Sequence, residues 1–205
     1  MENTTKSEIE KIFEKKASYY EDTIKGLTYY YNCGGGSSKI AWLANLGLFS
    51  MFNIYDLWIY MCTYHSSSKK YVKNLNARLV CLGIVESIED ILQMMGKEYQ
   101  VFFSSLIEDK NIRTRAILFR KKLAQFKDDN EREFREVRNY VIAHREHAVL
   151  KQVEILNQMD SDALMQKNME YLKLIEELHL VINDTITYIS EQLDSNPSFA
   201  EKLKN

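Results

Sequence analysis

Apolar residues recur every three or four positions along most of the chain, and the alternating pattern of strands is nearly absent. The first such stretch runs from about Thr5 to Tyr31. The glycine run "NCGGGSSK" ends it, because glycine extends a helix poorly, and Ser37 or Ser38 offers an N-cap for the next helix. The pattern therefore predicts a long first helix followed by a turn.

The second helix is the most hydrophobic one, and its core from Ile40 to Cys62 is long enough to cross a bilayer. Asn45, Asn53 and Asp56 interrupt this stretch, and at about 100° per residue they fall within one narrow sector of a helix. An aspartate in the middle of a membrane span costs about 2.5–3.5 kcal/mol on insertion scales. We therefore expect a central, mostly buried helix of a bundle and no membrane association.

A third helix is predicted from about Lys69 to Met95, with Gly96 as its stop. Its expected core stripe consists of Leu75, Leu79, Leu82, Val85, Ile88, Leu92 and Met95. A short helical stretch, "YQVFFSSLIE", leads to a helix over about Asn111 to Phe126. The segment "KDDNER" predicts a break and a new N-cap, with acidic residues in the first turn of the helix that follows.

That next helix is expected from about Glu131 to Asn157, and a last helix extends to about Leu193. "DSNPSF" then stops the helix, and the tail behind it is expected to fray. The predicted fold is all-α: an antiparallel up-and-down bundle of about five to six helices, formed by residues 1–205 as a single domain.

Composition narrows the classes of function. The net charge of −2 argues against a protein that binds polyanions over its whole surface, so a nucleic-acid site requires a local patch. Three widely spaced cysteines, Cys33, Cys62 and Cys81, form no CxxC pair and predict neither a disulfide framework nor a zinc site. The polar start "MENTTKSEIEKIFEKK" predicts no secretory signal. We expect a cytoplasmic protein.

The stretch "RNYVIAHREH" (residues 138–147) combines an arginine, an asparagine and two of the four histidines. On a helix, His144 lies within an apolar stripe, so a buried structural histidine is one interpretation. Arg138 precedes His144 by six residues, which places it roughly 120° around the axis and about 9 Å along it. One straight helix presents this pair poorly to a single phosphate. Two copies packed across a two-fold axis would bring two arginines and two histidines into one cleft.

The sequence "RNYVIAHRE" resembles the Rx4–6H motif of the HEPN superfamily, in which Asn, Asp or His often follows the arginine. The longer "EVRNYVIAHRE" is similar to the motif of abortive-infection HEPN proteins of the AbiU type. The resemblance implies a helical bundle that dimerises with the motif at the interface and, in many members, metal-independent RNA cleavage. Arg138, Asn139 and His144 occupy the motif positions.

Such chemistry needs no metal and no cofactor, because RNA carries its own nucleophile, the 2′-hydroxyl. A histidine can move protons at neutral pH, and an arginine can bind two phosphate oxygens. Asn139 could hold the phosphate or the imidazole by hydrogen bonds. We expect an endoribonuclease of a bacterial phage-defence or toxin–antitoxin system, acting as a homodimer on RNA, with an antitoxin protein as a possible partner. The alternatives are a catalytically inactive HEPN module that binds RNA, a nucleotide or a protein, and a purely structural bundle.

Other residues are candidates for RNA contacts. Arg145 and His147 flank the motif histidine, and the pair His144 and His147 lacks the further ligands that a metal site needs. Residues 110–127 carry seven cations and no acid. Within them Arg113, Arg120 and Lys127 recur every seven residues, which predicts either an RNA-binding stripe or a solvated face paired with nearby acids.

HEPN proteins often have an acidic residue on an earlier helix, close to the motif arginine. Glu86, Glu89 and Asp56 are candidates for orienting Arg138, and the sequence does not choose among them. An ordinary surface ion pair is the alternative for each.

Overall fold

The computed structural model describes residues 6–33, 39–138, 154, 157–196 and 198–204. Within these ranges the chain forms seven helices and no strand. The helices are α1 (Lys6–Cys33), α2 (Lys39–Ser66), α3 (Lys70–Met94), α4 (Lys97–Leu106), α5 (Lys110–Val137), α6 (Ser161–Ser195) and α7 (Phe199–Lys204). The predicted all-α bundle is confirmed, with two short helices, α4 and α7, beside the five long ones.

Helix α2 lies at the centre of the bundle, where it packs against α1, α3 and α6. Twelve of its 28 residues are buried, and Asn45 and Asp56 lie on its exposed side while Asn53 is half-buried. The predicted central helix with one polar stripe is therefore confirmed. Among the described residues, no helix is long and apolar enough to cross a membrane.

A glycine allows three helices to approach each other closely. A Cβ atom at Gly47 of α2 would lie 3.0 Å from both terminal methyls of Leu27 on α1 and 3.6 Å from Ile182 on α6. Leu27 and Ile182 are themselves fully buried. Because Gly47 has no side chain, the side chain of Leu27 can pack against α2 in the core.

Helix α3 ends as predicted, but it faces the core with different residues. Gly96 follows its end, and a Cβ there would lie 2.8 Å from the carbonyl oxygen of Gln93, so a larger residue does not fit. Leu75 is 37% exposed, and Leu79 and Leu82 are only half-buried. The buried residues are instead Asn76, Ala77, Val80, Cys81, Ile84, Val85, Ser87, Ile88 and Ile91. The leucine stripe was therefore partly wrong, because the helix turns Ala77, Val80, Cys81 and Ile84, which recur at spacings of three and four residues, toward the core.

Helix α5 is continuous through the segment "KDDNER", where the sequence predicted a break. The side chain of Asn130 donates a 2.8 Å hydrogen bond to the carbonyl oxygen of Phe126, one turn earlier, and so stays within the helix. Phe126, Asn130 and Phe134 are buried and continue the apolar stripe of α5 without a change of phase. Asp109, whose carboxylate accepts hydrogen bonds from two amides of the first turn, caps the start of the helix.

The tail is ordered by burial, contrary to the predicted fraying. Helix α7 packs against α2 and α6, and its Phe199 and Leu203 are buried. Two apolar residues four positions apart suffice to hold this six-residue helix on the bundle.

A histidine is buried between α2 and α6. His179 is 4% exposed, and its Nε2 lies 2.9 Å from the hydroxyl oxygen of Ser50. Burial lowers the pKa of His179 from its ordinary value of 6.5 to about 4. The imidazole is therefore neutral in the folded protein at physiological pH.

This burial predicts a loss of stability in weak acid. The unfolded chain takes up a proton on His179 near pH 6.5 and the folded chain only near pH 4, so stability falls as the pH drops between these values. At about pH 4.5, the loss from this residue amounts to about 2–3 kcal/mol. Urea unfolding at neutral pH and at about pH 4.5 measures it, with His179→Gln as the control that cannot be protonated. Equal losses in both proteins would contradict the assignment.

Candidate functional site

Arg138 lies at the end of α5, next to an acidic residue of α3. Its guanidinium nitrogen Nη2 is 3.6 Å from the carboxylate of Glu86. The backbone N–H of Arg138 still bonds to the last turn of α5, which fixes where the side chain starts. Its Nε is buried and makes no hydrogen bond to any residue that the structure describes. The contact is thus an ion pair and is longer than a hydrogen bond.

The other motif residues are not part of this geometry. Asn139, His144, Arg145 and His147 lie outside the described residues, so their predicted roles stay predictions.

The two remaining acid candidates have other neighbours. The carboxylate of Glu89 bonds to Arg135 of α5 and lies 4.0 Å from the ammonium of Lys127. Arg135 also donates a 2.7 Å hydrogen bond to Glu131, which lowers the pKa of that carboxyl below its ordinary value. Asp56 is exposed on α2, and burial of the Tyr60 phenol together with the nearby charge of Asp56 raises the pKa of Tyr60.

Two ion pairs, Glu86–Arg138 and Glu89–Arg135, connect α3 to α5. Glu86 precedes Glu89 on α3. Their partners lie in the opposite order on α5, because Arg138, the partner of Glu86, follows Arg135, the partner of Glu89. This order is the one that antiparallel helices require. The two ion pairs agree with the register of α3 against α5, and this register places Glu86 beside Arg138.

The basic stripe of α5 divides into two parts. Three of its cations pair with carboxylates of other helices: Arg115 with Asp184, Lys122 with Glu177, and Lys127 with Glu89. Arg113, Arg120 and Lys121 have no carboxylate partner among the described residues, and all three line a cavity between α4 and α5. For Lys127, the structure thus agrees with the alternative drawn from the sequence, a solvated face whose cations pair with nearby acids.

That cavity has a volume of about 380 Å³. Its walls include the half-stacked rings of Tyr99 and Phe103, whose centroids are 4.9 Å apart. Sequence reasoning missed this site, although two of its arginines were noted. The only signal was the acid-free run of residues 110–127, because the contribution of α4 depends on how the two helices pack.

Metal ligands are not clustered in the part of the chain that the structure describes. No three His, Cys, Asp or Glu side chains there lie close enough together to hold an ion. Cys62 and Cys81 are free thiols, and burial raises the pKa of Cys81 to about 12.

The comparisons with known proteins assign no family. No protein-family model matches the chain, and comparisons with characterised proteins and with solved structures give no match either.

The two ion pairs between α3 and α5 should contribute differently to the free energy of unfolding. Glu89 has two cationic partners, so we expect Glu89→Gln to lower the free energy of unfolding by roughly 0.5–1 kcal/mol. Glu86 is 55% exposed and its pair is longer, so Glu86→Gln should change stability by less. Urea denaturation of the two variants beside wild type measures both effects. A larger loss for Glu86→Gln would mean that this residue has a structural role.

Proposed function

We propose that the protein is a metal-independent endoribonuclease of the HEPN type that acts as a homodimer. The observation that carries the proposal is the position of Arg138: the motif arginine ends a bundle helix and faces Glu86 of an earlier helix. An acidic residue near the motif arginine is what the resemblance implies.

The arginine has the features that phosphate binding needs. It is about one-third exposed, so a ligand can reach it, and its ion pair with Glu86, at 3.6 Å, is longer than a hydrogen bond. A planar guanidinium can then donate two parallel hydrogen bonds to non-bridging oxygens of a phosphate. An arginine also stays charged at every pH at which a histidine titrates.

A second copy of the chain supplies the rest of the site. On an ideal helix, the six-residue spacing of Arg138 and His144 would place their side chains on different faces. Packing of two copies across a two-fold axis brings the arginine of each beside the histidine of the other. The homodimer is therefore part of the proposed mechanism.

In this mechanism one His144 imidazole accepts the proton of the RNA 2′-hydroxyl as its oxygen forms a bond to the neighbouring phosphorus. The bond from phosphorus to the 5′-oxygen breaks, and the partner's imidazolium gives that oxygen a proton. Arg138 stabilises the charge that develops on the phosphate oxygens, and Asn139 positions the phosphate or the imidazole. The products are a 2′,3′-cyclic phosphate and a 5′-hydroxyl end. Arg145 and His147 are proposed to contact the RNA beside the cut.

The biological setting follows from the resemblance to abortive-infection HEPN proteins. We place the activity in the bacterial cytoplasm, in phage defence or in a toxin–antitoxin pair, with an antitoxin protein as the partner that restrains it.

RNA cleavage in EDTA tests the proposal. Wild-type protein should cut single-stranded RNA without a divalent metal, and Arg138→Ala and His144→Ala should each lower the rate by about 100-fold or more. Arg132→Ala is the matched control, because this exposed arginine lies on the same helix and should be dispensable. End-group analysis of the fragments identifies the cyclic phosphate.

Three results would contradict the proposal: no cleavage by folded wild-type protein on diverse RNAs, a requirement for a metal, or full activity in both motif variants. Binding of RNA without cleavage would instead favour the inactive HEPN module.

Glu86 is proposed as a positioning residue for Arg138. Glu86→Gln should lower kcat about three- to tenfold without raising KM for RNA, since it loosens an arginine that acts in the transition state. Glu86→Asp should recover part of the rate, and Glu89→Gln should leave it near wild type. A loss of rate in Glu89→Gln as large as in Glu86→Gln would show that the effect comes from the α3–α5 contact in general.

A further inference from the structure

The cavity between α4 and α5 lies far from Arg138. Arg120, on its wall, precedes Arg138 by 18 residues along one continuous helix, which corresponds to about 27 Å along the axis. One nucleotide of RNA does not span this distance. The cavity is therefore a second site, and the argument for it does not depend on the proposed function.

The charge on the cavity wall has one sign. Arg113, Arg120 and Lys121 contribute three positive charges, and none of the Asp and Glu residues that the structure describes lines the cavity. Arg113 donates a 3.3 Å hydrogen bond to the backbone carbonyl of Glu108, whose own carboxylate lies 3.5 Å from Lys202. The positive charge of Arg113 is thus left without a counter-ion in the described part of the chain.

The neighbouring cations of α5 show that this arrangement is specific to the cavity. Arg115 and Lys122 lie on the side of the helix that faces α6, and each pairs with an acid there. Arg113, Arg120 and Lys121, which turn toward α4, have no such partner among the described residues, and all three line one cavity. An anion bound in this cavity would neutralise positive charge that no described carboxylate neutralises.

The cavity also has buried donors with no acceptor. The Nε of Arg120 and the hydroxyl of Tyr99 are both buried and form no hydrogen bond with any residue described here. Buried polar groups without partners are uncommon in folded proteins. Burial raises the pKa of Tyr99, so its hydroxyl keeps its proton and can donate. Bound anions accept hydrogen bonds from such groups.

Apolar groups form the rest of the wall. Phe103 and Met95 lie at the buried side, and Ile117, which is 56% exposed, lies on the outer side. Gln100 and Ser104 add uncharged hydrogen-bonding groups from α4. A volume of about 380 Å³ falls in the range of small-molecule sites. The occupant that fits is a small anion with a flat, partly apolar portion.

We propose that the α4–α5 cavity binds a nucleoside phosphate, with its phosphates against Arg113, Arg120 and Lys121 and its base between the apolar wall and Gln100 and Ser104. A volume of about 380 Å³ has room for a single nucleotide and is too small for a strand of RNA.

Isothermal titration calorimetry with the four ribonucleoside triphosphates and the four monophosphates tests this inference. At least one nucleotide should bind with one site per chain. The matching nucleoside without phosphate, which is adenosine for an adenine nucleotide, should bind at least about tenfold more weakly. Inorganic phosphate alone should also bind at least about tenfold more weakly, since each of the two fills only half of the site. Inorganic phosphate that binds as tightly as the nucleotide would overturn the proposed role of the apolar wall.

Variants locate the binding. Arg120→Gln and Arg113→Gln should each weaken nucleotide binding about tenfold or more. Lys122→Gln is the matched control: it removes one charge from the same helix but faces Glu177. Circular dichroism shows whether each variant is folded, and two independent arginines keep the test valid if one variant is not.

Several outcomes would overturn the inference: no binding of any of the eight nucleotides, equal weakening by Lys122→Gln, or unchanged binding in both arginine variants. Binding of a short RNA without any mononucleotide binding, lost in Arg120→Gln, would assign these cations to RNA instead. Because Arg138 and His144 are untouched, the metal-independent cleavage assay reports separately on the proposed function.

Discussion

The burial of α2 is the constraint on which the rest of the fold depends. A helix that is apolar around most of its circumference must be covered on several sides, and α1, α3 and α6 provide this cover. At Gly47, α1 and α6 lie so close to α2 that a side chain would have little room. Helix α3, held against α2 in this way, presents its opposite flank to α5, and the acids on that flank meet Arg135 and Arg138.

The continuity of α5 gives the molecule two separate chemical regions. Its last turn carries Arg138 beside Glu86, and its first half carries the cations that line the cavity against α4. Of the other cations of the helix, Arg115 and Lys122 pair with acids of α6, and Lys127 pairs with an acid of α3. The net charge of −2 therefore does not reveal that three cations without a carboxylate partner among the described residues share one cavity.

Much of the fold could be predicted from periodicity, including the long helices, the central α2 and the stop at Gly96, because each rests on local patterns. The predicted break in α5 was wrong because Asn130 bonds within the helix and its stripe keeps its phase. The choice of Glu86 as the neighbour of Arg138 depends on the register of two helices, and the cavity depends on the packing of α4. Neither can be read from spacing along one helix, and the resemblance to HEPN proteins added the motif without this geometry.

The central claim is that one chain holds half of a catalytic site and a second copy completes it. The most direct measurement is the molar mass by light scattering, combined with cleavage rate across a range of protein concentrations. The account predicts a mass of twice 24.2 kDa wherever the protein is active, and a specific activity that falls when dilution produces monomers. A monomer of 24.2 kDa that retains full metal-independent cleavage would contradict it.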